Sequence, residues 1–252
     1  MTRVLVTNDD GIHSPGLAAL ARCAVDFGWE TLIAAPATEA SGASAAVHAA
    51  VGGGQVVIRR HRLPGLEDVE AYAVSAQPGL IAMVAGEDGF GTRPDVVLSG
   101  VNLGANIGRA VLHSGTVGAA MTAAIHGARA MAVSLDVGLG GGEPLWDSAA
   151  AVVSRLLPKL AGLSAGDALN VNVPNVPADR LRPPRIARLA TYGQLRSKVT
   201  RIGDEAIELA TIEVEGELEA GTDAALLADG YVTVTPLRSI HEDHRLMGLD
   251  LS

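Results

Sequence analysis

Asp9 and Asp10 stand side by side between Asn8 and Gly11, directly after the apolar run Val4, Leu5, Val6. A buried strand that ends in such a turn delivers two carboxylates to one point of a fold. In an open α/β sheet that point faces a crevice, because ligands bind outside the carboxyl ends of the strands. A dinucleotide-binding turn would carry glycines whose amides approach a pyrophosphate, whereas two negative charges repel phosphate. They become useful to phosphate chemistry when a hard divalent cation sits between, since Mg²⁺ or Mn²⁺ takes oxygen ligands, clamps phosphoryl oxygens and activates water. The plainer reading of an Asp-Asp pair is a solvated turn.

Other residues bear on that choice. Ser41 and Asn102 fall in segments read as loops after other strands, and each offers an uncharged oxygen that completes a hard-cation shell without adding charge. Ser114, Gly115 and Thr116 open an Ala-rich helix. Ser and Thr are good N-caps, and helix-terminal amides bind phosphate, so one turn can serve both ends. Asn106 and Arg109 in the preceding loop are candidate phosphate donors, with a solvated surface charge as the simpler role for Arg109. His113 is a candidate general acid, with a structural role as its alternative. The segment His241, Glu242, Asp243, His244 lacks the HExxH pattern of zinc proteases and reads as surface helix. Gly52, Gly53 and Gly54 lack a following Lys-Ser or Lys-Thr and form no P-loop.

The elements that must position these residues alternate. Strands are expected at 3–7, 31–35, 71–74, 96–99, 130–135 and 169–173, with a shorter extended piece at 56–58. Ser14 and Pro15 open a helix that ends near Gly28; a second helix runs from Ser114 to about Ala128 and a third over 145–163 despite Pro158. Residues 99–108 are too rich in glycine and amides for a regular element and read as a loop. Beyond Pro183 the texture turns strand-like, at 185–191, 206–214 and 230–237, with a short helix over 240–249. The pattern specifies an α/β fold, a wound, mostly parallel sheet with helices on both faces and a β-rich appendage, as one domain over 1–252 without internal repeats.

Composition narrows the function classes. At 252 residues and 48% hydrophobic content the chain can bury a sizeable core, and with only 3% aromatics that core must be built from Ala, Val, Leu and Ile. A net charge of −9 argues against a nucleic-acid polymer as partner, though a short nucleotide can still bind through a metal. Cys23 is the sole cysteine, so no intrachain disulfide exists. The N-terminus enters a strand directly and no apolar run approaches about 18 residues, so a cytoplasmic location without membrane contact is expected.

Taken in order, the motifs Val6-Thr7-Asn8-Asp9-Asp10-Gly11-Ile12-His13-Ser14-Pro15-Gly16, Ser41-Gly42-Ala43-Ser44, Ser99-Gly100-Val101-Asn102 with Gly104 and Asn106, Ser114-Gly115-Thr116-Val117, Asn170-Val171-Asn172-Val173-Pro174, Gly221-Thr222-Asp223 and Gly230-Tyr231-Val232-Thr233-Val234-Thr235-Pro236-Leu237 span nearly the whole chain. Their combination resembles the SurE survival-protein family of metal-dependent 5'/3'-nucleotidases. The resemblance implies a Rossmann-like core with a protruding β-hairpin, matched in position by residues 186–216, and a C-terminal segment exchanged between subunits of a homodimer or homotetramer. It implies one divalent cation per subunit, Mg²⁺ or Mn²⁺, held by Asp9, Asp10, Ser41 and Asn102, with Asp9 and Asp10 also catalytic. Asn106 with Ser114, Gly115 and Thr116 maps to the phosphate pocket, beside which Arg109 is the further candidate, for a small phosphorylated substrate.

The surroundings depart from the family pattern. Ala37, Thr38, Glu39 and Ala40 replace a polar run, Ala76-Gln77-Pro78-Gly79-Leu80 replaces a stretch that carries an acid, Arg109 and Ala110 stand where acids are common, and Thr122 takes a carboxylate's place. The function expected is hydrolysis of nucleoside 5'- or 3'-monophosphates. Two alternatives accompany it, a phosphatase for a sugar phosphate or specialised metabolite and a ligand-binding protein that has lost catalysis. Keeping all four ligand positions favours an enzyme. A receiver domain also holds Mg²⁺ on acids after a first strand, but the only lysines, Lys159 and Lys198, follow no strand end.

Overall fold

An inner strand of the sheet, β1 (Arg3–Thr7), has Val4, Leu5, Val6 and Thr7 all buried. It pairs in parallel with β2 (Glu30–Pro36) on one side and β5 (Val96–Leu103) on the other. The computed structural model describes residues 1–40, 42, 44–47, 55–138, 141–191, 195–202, 207–213, 217–240, 242 and 247–248. Its nine-stranded sheet runs β3 (Ile58–His61), β4 (Glu70–Val74), β2, β1, β5, β6 (Arg129–Asp136), β7 (Ala168–Pro174), β11 (Tyr231–Leu237) and β8 (Arg182–Ile186). From β4 to β7 every pair is parallel, while β3 and β11 add antiparallel to β4 and β7. A separate two-stranded antiparallel sheet of β9 (Leu195–Ile202) and β10 (Ile207–Glu213) falls within residues 186–216, the span expected to form a β-hairpin.

Helices cover both faces. On one, α1 (Pro15–Asp26) and α4 (Trp146–Ala161) contribute Leu17, Leu20, Val153, Leu157 and Leu160 to a cluster with Val4, Val6, Ile33 and Leu98. Leu17, Leu20, Ala21 and Ala24 recur at helical spacing, and full burial of each leucine stabilises by about 1.5–3 kcal/mol. On the other face α2 (Pro78–Gly86) and α3 (Gly115–Ile125) pack Ile81, Ala82, Val117, Ala119 and Ala120 on Leu5, Val97, Ala130 and Ala132. The small residues on both sides of this layer explain how so few aromatics suffice. The α/β expectation, mostly parallel with two covered faces, is met.

Several expected boundaries are corrected. β5 does not end at Ser99 but continues to Leu103, so Asn102 lies in the strand and not in a loop after it. A register break between Ser99 and Asn102 lets the strand resume pairing with β6, Asn102 opposite Ser134. Gly100 sits at the break with φ +134°, and a Cβ there would run into the Val133 carbonyl oxygen. The strand expected at 185–191 is instead β8; Pro183 and Pro184 fit because β8 is an edge strand, where a missing N–H costs little. The piece at 56–58 is displaced to β3. The helix α2 is apolar on every side and buried at seven of nine positions, so no amphipathic period announces it, and α5 (Asp223–Ala228) is too short to show one. In the 240–249 segment Ile240 and Glu242 are not helical and Met247 and Gly248 form a turn; His241, Asp243 and His244 fall outside the described residues, as does Gly52 to Gly54 and most of the expected exchange segment.

Candidate active site

Strand order reverses at β1. The chain builds β2 and β4 on one side and then returns to lay β5, β6 and β7 on the other, which makes the carboxyl ends of β1 and β5 a topological switch point, the place where such sheets bind ligands. The turn after β1 is built by its own side chain: the Asn8 amide nitrogen donates to the Gly11 carbonyl at 3.0 Å, and the Gly11 N–H donates to Asn8 Oδ1 at 3.2 Å. The turn is docked on the end of β2, with the Ile12 N–H donating to the Pro36 carbonyl at 2.8 Å and the Ala40 N–H to the Asp9 carbonyl at 2.7 Å. That docking leads the chain from Ala40 straight to Ser41, which lies outside the described residues.

The two carboxylates are held differently. Asp9 is 4% exposed and faces the N-terminus of α3, where the Thr116 hydroxyl donates to its Oδ1 at 2.6 Å and the Thr116 backbone N–H also supports it. Gly115 is required there, since a Cβ would come within 2.9 Å of the Asp9 Cβ and Oδ2. Asp10 is half-buried and accepts the Leu103 N–H on Oδ2 at 3.2 Å, which ties the acidic turn to the end of β5. Burial raises the Asp9 carboxyl above its usual range, against the pull of Thr116. Burial first, and then the neighbouring Asp9 charge, push Asp10 from 3.8 up to about 6. Two carboxylates that disfavour their own ionisation form a site that gains by taking up positive charge.

Beside Asp9 opens a cleft of about 300 Å³ lined by Asp9, Gly42, Asn102, Leu103, Asn106, Ala110, His113 and Ser114; Asp10 is not among the lining residues and is joined to it through Leu103. Asn102 donates its amide nitrogen to the Gly104 carbonyl at 2.7 Å, which fixes the side chain and leaves Oδ1 as its remaining acceptor. Ser114 both caps α3, accepting the Val117 N–H at 3.1 Å, and lines the cleft, so the two readings of that residue coexist. Thr116 spends its hydroxyl on Asp9. Arg109 is exposed in the 3-10 turn Gly108–His113, donates its backbone N–H to the Ala190 carbonyl at 3.0 Å, and is not among the lining residues. Asp9, Asp10, Asn102, Asn106, Ser114, Gly115 and Thr116 are thus gathered from β1, β5 and α3, although they are spread over more than a hundred positions of chain.

The family described as "Survival protein SurE" matches residues 4–195, which takes in every one of these positions. The chain belongs to the SurE family. Among curated SurE relatives, the "5'-nucleotidase SurE" of Erythrobacter litoralis is 34% identical over 98% of this chain and 97% of its own, and the "5'/3'-nucleotidase SurE" of Shigella dysenteriae serotype 1 is 33% identical over 94% and 90%. The crystal structure of the SurE protein from Aquifex aeolicus superimposes with a TM-score of 0.78 at 26% identity, covering 97% of this chain and 96% of that one.

Sequence reasoning quoted Asn170, Asn172 and Asp223 within the family motifs but gave them, and Ser134, no place in the site. Asn170, Asn172 and Ser134 all bond to Asn106, and Asp223 accepts the Gly108 N–H at 2.8 Å. The signal was present as polar residues at positions where a doubly covered strand should be apolar, Asn170 and Asn172 in β7.

Proposed function

We propose that this SurE-family chain is a divalent-metal-dependent phosphomonoester hydrolase whose best-fitting substrates are nucleoside 5'- or 3'-monophosphates. The observation that carries the reading is the pair Asp9 and Asp10 at the switch-point crevice, both raised in proton affinity, with Asp9 bonded to the start of α3 and lining a cleft that Ser114 and Asn106 also line. The donor set suits a hard cation. Among the described residues no group of three or more His, Cys, Asp or Glu side chains could hold a metal ion, so the two carboxylates would be completed by uncharged oxygens, Asn102 Oδ1 and, from its place in the sequence motif, the Ser41 hydroxyl. That is the ligand chemistry of Mg²⁺ or Mn²⁺ and not of zinc.

In this reading Asp9, Asp10, Ser41 and Asn102 hold one cation, which when bound supplies charge neutralisation for the phosphoryl group and its attacking oxygen. Asn106, the Ser114 hydroxyl and the Gly115 amide bind and orient the phosphoryl oxygens, as fixed donors that need no rearrangement when charge shifts. Arg109 sits at the rim, where it attracts an anionic substrate without lining the cleft. Thr116 holds Oδ1 of Asp9, leaving Oδ2 to act, either as nucleophile or as acceptor of a proton from water. A carboxyl raised above its usual range is the better proton acceptor. His113 also lines the cleft and is the candidate general acid for the leaving-group oxygen.

The proposal includes a single domain over 1–252 with the hairpin as its appendage, assembled as a homodimer or homotetramer. The β9–β10 pair joins no other strand among the described residues, and an isolated two-stranded hairpin is at best marginally stable, which supports association. A cytoplasmic location is also proposed; Cys23 is a buried free thiol, and no described helix is long and apolar enough to cross a membrane. Phosphate release from a panel of nucleoside monophosphates and sugar phosphates, with Mg²⁺ or Mn²⁺, compared between wild type and Asp10→Asn, tests the function. Metal-dependent release that the substitution abolishes supports the hydrolase and ranks its leaving groups; silence across the panel with the cation still bound favours a ligand-binding role.

A further inference from the structure

Strand β7 alternates faces, and Val171 and Val173 enter the cluster beneath α1 and α4. On the opposite face Ala168 joins the apolar layer with Ala130 and Ala132, but the next two positions of that face are Asn170 and Asn172, both fully buried. An amide in such a place is destabilising unless its groups are bonded. Oδ1 of Asn170 has no partner among the described residues, so core stability is not what these two side chains serve. Their remaining groups converge on one residue outside the strand. Asn172 accepts the Asn106 N–H on Oδ1 at 2.8 Å and donates from Nδ2 to the Asn106 carbonyl at 2.9 Å; Asn170 donates to the same carbonyl at 2.8 Å. The Asn106 side-chain nitrogen is bonded to Ser134 Oγ at 2.8 Å, from the neighbouring β6.

We propose that Asn170, Asn172 and Ser134 are positioning residues that fix Asn106 in the cleft, and so set its aim at the phosphoryl oxygens. The inference rests on the phosphatase reading for its consequence, though not for its geometry. Asn106 lies in a stretch of irregular backbone, 104–107, that has no ladder of its own to hold it. Asn172 supplies one in miniature, pairing with the N–H and the carbonyl of a single residue as a neighbouring strand would. With both backbone groups and one side-chain hydrogen committed, what Asn106 presents to the cleft is the rest of its amide, in one orientation. A loop anchored only by packing would sample several, and misplacement of a donor by about 1 Å can cost on the order of 100-fold in rate.

The test compares Asn172→Leu, Asn170→Leu and Ser134→Ala with Thr233→Val. Thr233 is the cross-strand neighbour of Asn172, equally buried, with a hydroxyl that has no partner among the described residues, so its replacement reports general disturbance of the strand pair. Four quantities are read for each: melting temperature, Mn²⁺ dissociation constant, inhibition or binding constant of inorganic phosphate, and kcat and KM for a nucleoside monophosphate. The expected result is Mn²⁺ binding held within about twofold while phosphate binding weakens and kcat/KM falls by about 10- to 100-fold, with Thr233→Val like wild type. Ser134→Ala, the smallest change, keeps the comparison open if a leucine variant does not fold. Equal phosphate binding and kcat/KM in folded variants overturns the positioning role, as does a loss shared by Thr233→Val. A wild type that binds phosphate without turnover would instead overturn the hydrolase reading and leave the clamp judged by phosphate binding; a wild type that neither binds phosphate nor turns over the nucleotide overturns both.

Discussion

The Thr116 hydroxyl donates to Asp9 Oδ1 across 2.6 Å, joining the second residue of α3 to the turn after β1. The N-terminus of α3 therefore has a carboxylate on it already, and the positive end of the helix stabilises the charge that burial opposes. Hydrogen bonds to charged groups contribute about 1.5–3 kcal/mol. In Thr116→Val the shape is kept and this bond is lost. The expected outcome is weaker Mn²⁺ binding and a drop in kcat larger than any rise in KM, because the aim of Asp9 and not substrate contact has changed. Titration calorimetry and steady-state kinetics check it; a change confined to KM would place Thr116 on the substrate instead.

Gly115→Ala tests how closely helix and acid approach. An added Cβ would stand 2.9 Å from the Asp9 Cβ, against a side chain that cannot retreat because it is buried and bonded to the next residue. Overpacking of this kind costs about 1–3 kcal/mol. Melting should fall accordingly and phosphatase activity should be lost more steeply than stability, since relief of the clash moves Asp9 itself. A variant that melts and turns over like wild type would contradict the stated separation.

Much of this site was legible in the sequence because its chemistry is written in residue types at strand ends. Asp9 and Asp10 after Val4, Leu5, Val6, and Ser114 ahead of an Ala-rich helix, are signals that local rules read correctly, and both helix-covered faces followed from alternation. Asn102, which lines the cleft, was singled out for a partly mistaken reason. The glycines around it read as loop, whereas Gly100 lets the strand pass close to the Val133 carbonyl and continue. The partners of Asn106 could not be placed, because Asn170 and Asn172 are more than 60 positions away and their roles depend on which strand lies beside the loop. Helix α2 escaped for the opposite reason, being apolar on all sides and so without a period.

The acidic pair should make the metal-free protein more stable in mild acid. The folded-state value of Asp10, about 6, lies above its ordinary 3.8, so between those limits the native state binds more protons than the unfolded chain. Stability then falls as pH rises through that window and levels off above it, and Asp9 is shifted in the same direction. With a chelator present, melting temperature should therefore drop between pH 4 and pH 6 more in wild type than in Asp10→Asn, after allowance for other groups by the difference between the two. Saturating Mg²⁺ should abolish that difference by favouring the ionised pair. Parallel curves for the two proteins without metal would show that the carboxyl is not raised.

Asp223 supplies the last prediction. It is fully buried at the start of α5, and its carboxylate accepts three backbone N–H groups: Gly108 on Oδ2 at 2.8 Å, and Ala190 at 2.9 Å and Ala224 at 2.8 Å on Oδ1. Gly108 closes the cleft loop that holds Asn106, and Ala190 precedes the β9–β10 hairpin, so one side chain links the cleft to the root of the appendage. The Arg109 N–H adds a second link by donating to the Ala190 carbonyl at 3.0 Å. Removing the carboxylate strands buried donors at about 1–3 kcal/mol each. Asp223→Ala should lower stability by at least that much, while Asp223→Asn, which keeps one acceptor oxygen but turns a donor toward an N–H, should fall between alanine and wild type. Hydrogen exchange locates the effect: the amides of Gly108, Arg109 and Ala190 should lose protection together, ahead of β1 and β5. Uniform loss across the sheet would mean that Asp223 stabilises the whole fold and does not specifically couple the loop to the hairpin.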